Sequence, residues 1–81
     1  LLDFAVRDGE TLLVFTADHE TGGLALSSPG GRNLELRPIW STAHHTGAPV
    51  PIFAIGPGGA AFDGIHTNWE IGRLLGRSLR P

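Results

Sequence analysis

Cysteine and methionine are both absent from these 81 residues. Without cysteine there is no disulfide framework and no zinc-finger spacing, although the lack fits any redox compartment. Lysine is missing too. Six arginines against eight carboxylates leave a formal net charge of −2, which argues against the clustered basic surface of a nucleic-acid binder. No run approaches the ~20 apolar residues of a membrane span, and no signal peptide stands at the start. With leucine first and no methionine, the chain reads as a piece of something longer. One small domain is the most this length allows. The 12 glycines and six prolines raise the entropy lost on folding and interrupt regular elements, so self-sufficient folding is not expected.

What is present centres on Thr11 to Gly23, TLLVFTADHETGG. The run Leu12, Leu13, Val14, Phe15, Thr16 does not alternate polar with apolar, so it reads as a strand buried on both faces, as in a parallel α/β sheet. It ends in Asp18, His19 and Glu20, then in Gly22 and Gly23. Ligands of such sheets bind at the carboxyl ends of strands. Upstream, Leu1 to Arg7 has helical spacing, with Gly9 placed as a C-terminal cap and Asp8-Gly9-Glu10 as the turn into the strand. Helix, turn and buried strand form a unit of an α/β layer.

Further on, Gly23 to Ser27 and Asn33 to Arg37 place leucines at alternate positions around Ser28-Pro29-Gly30-Gly31-Arg32, which predicts a short hairpin with one face covered. Pro38 to Pro49 reads as irregular. Val50 to Ile55 is a second apolar run, opened by Pro51 at a strand edge and closed by Gly56-Pro57-Gly58-Gly59. Thr67 to Leu79 predicts a helix. Thr67 and Glu70 have capping-box spacing, and Ile71, Leu74, Leu75 and Leu79 share one stripe.

Asp18, His19 and His45 are the candidate metal ligands, because zinc accepts mixed oxygen and nitrogen shells. Neighbouring residues of an ideal strand face opposite ways, so Asp18 and His19 can share an ion only where the chain bends. His45 lies 26 residues beyond His19, and only the fold can bring it near. The residues alone leave alternatives open: Asp18 as a turn cap, and either histidine as a surface residue. His44 and His66 read as solvated. Glu20 and Asp63 read as turn or loop hydrogen-bonders, and Trp40 and Trp69 as packing residues. Gly56 to Gly59 lacks the lysine and the serine or threonine of a phosphate loop and reads as a turn.

Thr16-Ala17-Asp18-His19-Glu20-Thr21-Gly22-Gly23 resembles a signature of the alkaline phosphatases. His45-Thr46-Gly47, followed by Val50-Pro51-Ile52-Phe53-Ala54 and Gly56-Pro57-Gly58, is similar to a second one. Phe62-Asp63-Gly64 and Asn68 before a closing helix resemble the family's last segment. The resemblance covers nearly all of the chain. It implies that residues 1–81 are a C-terminal fragment of one catalytic domain, an α/β three-layer sandwich with a mostly parallel central sheet. It also implies two zinc ions and one magnesium ion, with Asp18 and His19 on the zinc that activates a serine nucleophile and His45 on the other. The parent would hydrolyse phosphate monoesters through a phosphoserine intermediate, as a homodimer in the periplasm or outside the cell.

The family's nucleophilic serine, phosphate-gripping arginine, magnesium ligands and remaining zinc ligands lie upstream of the matched region. Ser27, Ser28, Ser41 and Ser78 are not in the nucleophile's context, so no catalytic residue is assigned here and the fragment alone is expected to be inactive. Thr67 stands where many members carry aspartate. The competing readings are a related metal-dependent phosphodiesterase or sulfatase-like hydrolase, and a non-catalytic zinc-binding remnant or interaction module.

Overall fold

Apolar residues at Leu1, Leu2, Phe4, Ala5 and Val6, with Gly9 as C-cap, specify the first helix, α1 (Leu2–Asp8). The computed structural model describes residues 1–30, 32 and 35–80. Gly9 ends α1 at φ 71°, in the left-handed region where glycine carries no side-chain penalty, and its N–H donates to the Ala5 carbonyl at 3.1 Å. The Asp8 carboxylate then accepts the Thr11 hydroxyl at 2.6 Å and the Glu10 N–H at 3.3 Å. The described chain divides into two compact units, Leu1–Thr16 with Pro51–Pro81, and Ala17–Val50.

In the first unit, β1 (Leu13–Thr16) pairs with β6 (Ile52–Ile55), the second apolar run, from Leu13↔Ile55 to Thr16↔Ile52. The Thr16 hydroxyl donates to the Pro51 carbonyl at 2.9 Å, where proline has no N–H to offer. The pairing is antiparallel, as is every ladder among the described residues. The expectation of a parallel partner for β1 is therefore not met among the described residues. An apolar run reports burial and is silent on strand direction. Nor is β1 covered on both faces: Phe15 is 69% exposed, and Phe53 opposite it 63%.

Beyond β6, the Gly59 N–H donates to the Gly56 carbonyl at 3.0 Å, making Gly56 to Gly59 the turn that its composition implied. One turn of 3-10 helix follows, Gly59–Phe62. Phe62 and Ala5 are the buried hydrophobic residues among those described. α2 (Asn68–Ser78) matches the predicted helix. Glu70 reaches back to accept the Thr67 N–H at 2.7 Å and the Thr67 hydroxyl at 2.9 Å, satisfying a free donor at the helix start.

The second unit holds β2 (Glu20–Thr21), β3 (Leu24–Ser27), β4 (Arg37–Trp40) and β5 (His45–Thr46). The hairpin exists, but its return strand is shifted. β3 pairs with β4 from Leu24↔Trp40 to Ser27↔Arg37, so part of the stretch read as irregular is strand. Gly31, Asn33 and Leu34 of the predicted turn and return strand lie outside the described residues. Gly22, just before β3, leaves room for the Trp40 ring. Gly22 adopts φ 96°, and a Cβ there would meet the Trp40 ring at 2.5 Å, so Trp40 packs onto the bare backbone. Both Leu24 and Leu26 stay exposed, so the expected covered face is not formed among the described residues.

Candidate functional site

The candidate ligands all fall in the second unit, and a ladder of two residue pairs brings them together. β2 and β5 pair antiparallel with Glu20↔Thr46 and Thr21↔His45. Side chains alternate across a strand, which separates the site into two faces. On one face lie His19, Thr21 and His45. On the other, Glu20 meets Thr46.

On the first face the His19 and His45 rings stack, with centroids 3.5 Å apart and planes inclined by 26°. His45 is opposite Thr21, two residues from His19, a diagonal separation that aromatic rings can bridge. His19 Nδ1 lies 3.2 Å from the Glu20 carbonyl and 3.2 Å from the Thr21 hydroxyl. With the proton on Nδ1, the Glu20 carbonyl accepts it and Nε2 is the free ring nitrogen; with the proton on Nε2, the Thr21 hydroxyl donates to Nδ1 instead. That Nε2 faces Asp18 Oδ2 at 3.6 Å. Asp18 Oδ1 is engaged separately, accepting the His19 N–H at 3.1 Å.

A ring nitrogen facing a carboxylate at this distance accommodates either a proton on the nitrogen or a cation between the two. The separation suits a metal ion. Two ligands about 2.0–2.1 Å from a tetrahedral zinc stand about 3.3–3.4 Å apart, close to the observed spacing. The bend at Asp18 and His19, before β2 begins, is what allows adjacent residues to share one side. Holding a ligating histidine through its other ring nitrogen is also how metal sites orient imidazole.

His45 does not complete the same shell. Lone pairs lie in the ring planes, and planes tilted by 26° with centres 3.5 Å apart intersect only roughly 7–8 Å away. A bound zinc sits about 3 Å from a ring centre. The two rings therefore serve different ions if both ligate. Among the described residues no group of three or more His, Cys, Asp or Glu side chains could hold a metal, so the chain offers parts of shells and no closed one.

On the second face, Glu20 is the most heavily bonded side chain of the region. The Gly23 N–H donates to both carboxylate oxygens at 3.0 Å, the Leu24 N–H donates to Oε1 at 3.4 Å, and the Thr46 hydroxyl donates to Oε2. The Thr46 bond first, then those from Gly23 and Leu24 and the attraction of His19, hold its carboxyl below the ordinary value of 4.5, against partial desolvation. Glu20 is thus a loop hydrogen-bonder, as its place in the sequence implies. What the sequence did not disclose is that one of its partners, Thr46, comes from across the ladder.

The remaining candidates fall outside the site. His44 is exposed. His66 is half-buried, and its Nε2 lies 2.9 Å from the Asp63 carbonyl, so it is held in its loop and not merely solvated. Trp69 carries the Arg73 guanidinium 5.5 Å from its ring centre on α2 but is itself 60% exposed, so its expected packing role is not met among the described residues.

No family model matches the chain. Among curated relatives, alkaline phosphatase 4 of Bacillus subtilis (strain 168) is 20% identical and alkaline phosphatase 3 of the same organism 23% identical, each match covering 98% of this chain and 32% of the relative. The chain thus spans about a third of the length of these relatives. A solved structure of a TAB5 alkaline phosphatase mutant, with Mg bound in its M3 site, matches with a TM-score of 0.80 at 38% identity, over 95% of this chain and 25% of that one.

Proposed function

The chain belongs to the alkaline phosphatase family, and on that premise we propose that it supplies zinc ligands to a longer enzyme that hydrolyses phosphate monoesters. Asp18 and His19 hold one zinc ion and His45 holds the second. The observation that carries this reading is the pair of contacts at His19: Nε2 facing the Asp18 carboxylate at 3.6 Å, and a stacked His45 ring that cannot share the same ion. When bound, such a metal pair acts as a Lewis-acid clamp on the entering and leaving oxygens of the phosphoryl group.

The chain's own part is to present and orient donors. The Glu20 carbonyl and Thr21 hydroxyl fix the His19 ring, and the bend at Asp18 brings its carboxylate to the same side. The serine that would form the phosphoserine intermediate, the magnesium ligands and the rest of the zinc shells are supplied by the remainder of the parent, so the isolated chain is inactive. The parent is a three-layer α/β sandwich with a mostly parallel sheet, whose flanking layers cover Phe15 and Phe53. By family resemblance it works as a homodimer in the periplasm or outside the cell. The monoesterase is preferred over a phosphodiesterase or sulfatase-like relative because the relatives and the solved structure are all alkaline phosphatases.

The test is made in the full-length protein. Asp18→Ala, His19→Ala and His45→Ala should each lower zinc content together with phosphomonoesterase turnover. Full zinc occupancy and normal turnover in His45→Ala would remove it from the ligand set, and the same result in all three would leave the chain without a metal role.

A further inference from the structure

We propose that Glu20 and Thr46 form a positioning clamp that sets the register of the β2–β5 ladder and thereby the face on which His45 stands. The proposal rests on the metal-ligand reading of His19 and His45, and adds to it two residues that touch no metal.

Little else specifies the ladder. Two residue pairs, Glu20↔Thr46 and Thr21↔His45, are far short of an independently stable hairpin. A register slip of one residue would turn every side chain of β5 to the opposite face, and His45 would leave the His19 ring. Flanking backbone bonds, such as Gly22 N–H to the His44 carbonyl at 3.0 Å, help hold the strands but do not depend on side-chain identity.

The Glu20–Thr46 link does depend on it. The Thr46 hydroxyl reaches across the ladder to Oε2, while the Gly23 N–H holds both carboxylate oxygens from the other side. The carboxylate is thus held by backbone three residues along the chain as well as by the threonine. Only a residue with a hydroxyl at 46, opposite an acceptor at 20, closes the clamp. A slipped register would leave a half-buried carboxylate short of a donor, which costs free energy. One face of the ladder therefore carries the side chains that fix pairing, and the other carries the imidazoles whose placement depends on it.

Thr46→Val keeps the branched shape and removes the donor, whereas Thr46→Ser keeps the donor. In the full-length enzyme, metal affinity is read by competition with a chelator and by the visible spectrum of the cobalt-substituted protein. Loss of an outer-shell partner lowers metal affinity about 10–100-fold. Thr46→Val should fall in that range, with an altered cobalt spectrum and a drop in kcat larger than any change in KM. Thr46→Ser should restore the native spectrum and affinity. If Thr46→Val does not fold, Glu20→Gln provides the measurement: it keeps an oxygen for the Gly23 N–H and should shift the cobalt spectrum less than Glu20→Ala. Native affinity and spectrum in Thr46→Val, or in Glu20→Ala, would overturn the clamp. His45→Ala separates the two failures. If it loses metal while Thr46→Val does not, the clamp alone is wrong. If it retains metal, the ligand reading is wrong and the clamp falls with it.

Discussion

Replacing Gly56 with alanine attacks the junction that joins β6 to its turn. Gly56 sits at φ +106°, and a Cβ built there would lie 2.0 Å from the Thr11 carbonyl oxygen, 2.9 Å from its carbon and 3.2 Å from the Leu12 Cα. These are backbone atoms and cannot rotate aside. Relief requires moving the start of β1 away from β6, where Leu13 pairs with Ile55. A non-glycine residue in such a backbone region costs on the order of 1–3 kcal/mol, and overpacking adds about 1–3 kcal/mol. Gly56→Ala should therefore destabilise the full-length enzyme by about 2–6 kcal/mol, the sum of those two ranges. Gly58 is the control. It has φ +77° but nothing within 4 Å of its added Cβ, so Gly58→Ala should cost only the conformational part, about 1–2 kcal/mol. Urea unfolding of both variants measures the difference. Equal midpoints for Gly56→Ala and Gly58→Ala would refute the claim that contact with the Thr11 backbone is what requires glycine.

Two further outcomes are expected. The isolated 81-residue chain should show no cooperative melt by circular dichroism, because its buried hydrophobic residues among those described are Ala5 and Phe62 while Phe4, Phe15, Phe53 and Trp40 are exposed; a sharp transition would show that the small core suffices against a conformational entropy of about 1–2 kcal/mol per residue. The Glu70 carboxyl should titrate below its ordinary 4.5, chiefly because the Thr67 N–H and hydroxyl donate to it, with smaller help from His66 and Arg73. A depressed value in the folded state means that this support for α2 is in place above the ordinary carboxylate range and lost as pH falls through the folded value. Carbon-detected NMR of Glu70 in the full-length enzyme checks the sign, and a midpoint at or above 4.5 would contradict it.

Several elements were legible because their causes are local. Gly9 can adopt the left-handed geometry that ends α1, Glu70 lies one turn from the Thr67 it caps, and Gly56 to Gly59 form a turn through a bond between residues three apart. In each case the partners are near neighbours in the chain, so composition and spacing suffice. The candidate ligands were legible only as residue types, sharpened by a resemblance; nothing in their spacing joined His45 to His19.

What only the tertiary structure decided is how distant segments pair. It set β1 against β6 antiparallel, moved the return strand to Arg37–Trp40, stacked His45 on His19, and put Thr46 against Glu20 across 26 residues. An apolar run states that a strand wants covering but not which strand covers it or from which direction. A threonine states that it can donate a hydrogen bond but not to which carboxylate. By itself the sequence determined helix ends, turns and the inventory of metal-ligating side chains, because those depend on contacts within a few residues. The site depended on long-range register, which is settled by the summed fit of backbone ladders and side-chain bonds that form only once the chain has folded back on itself.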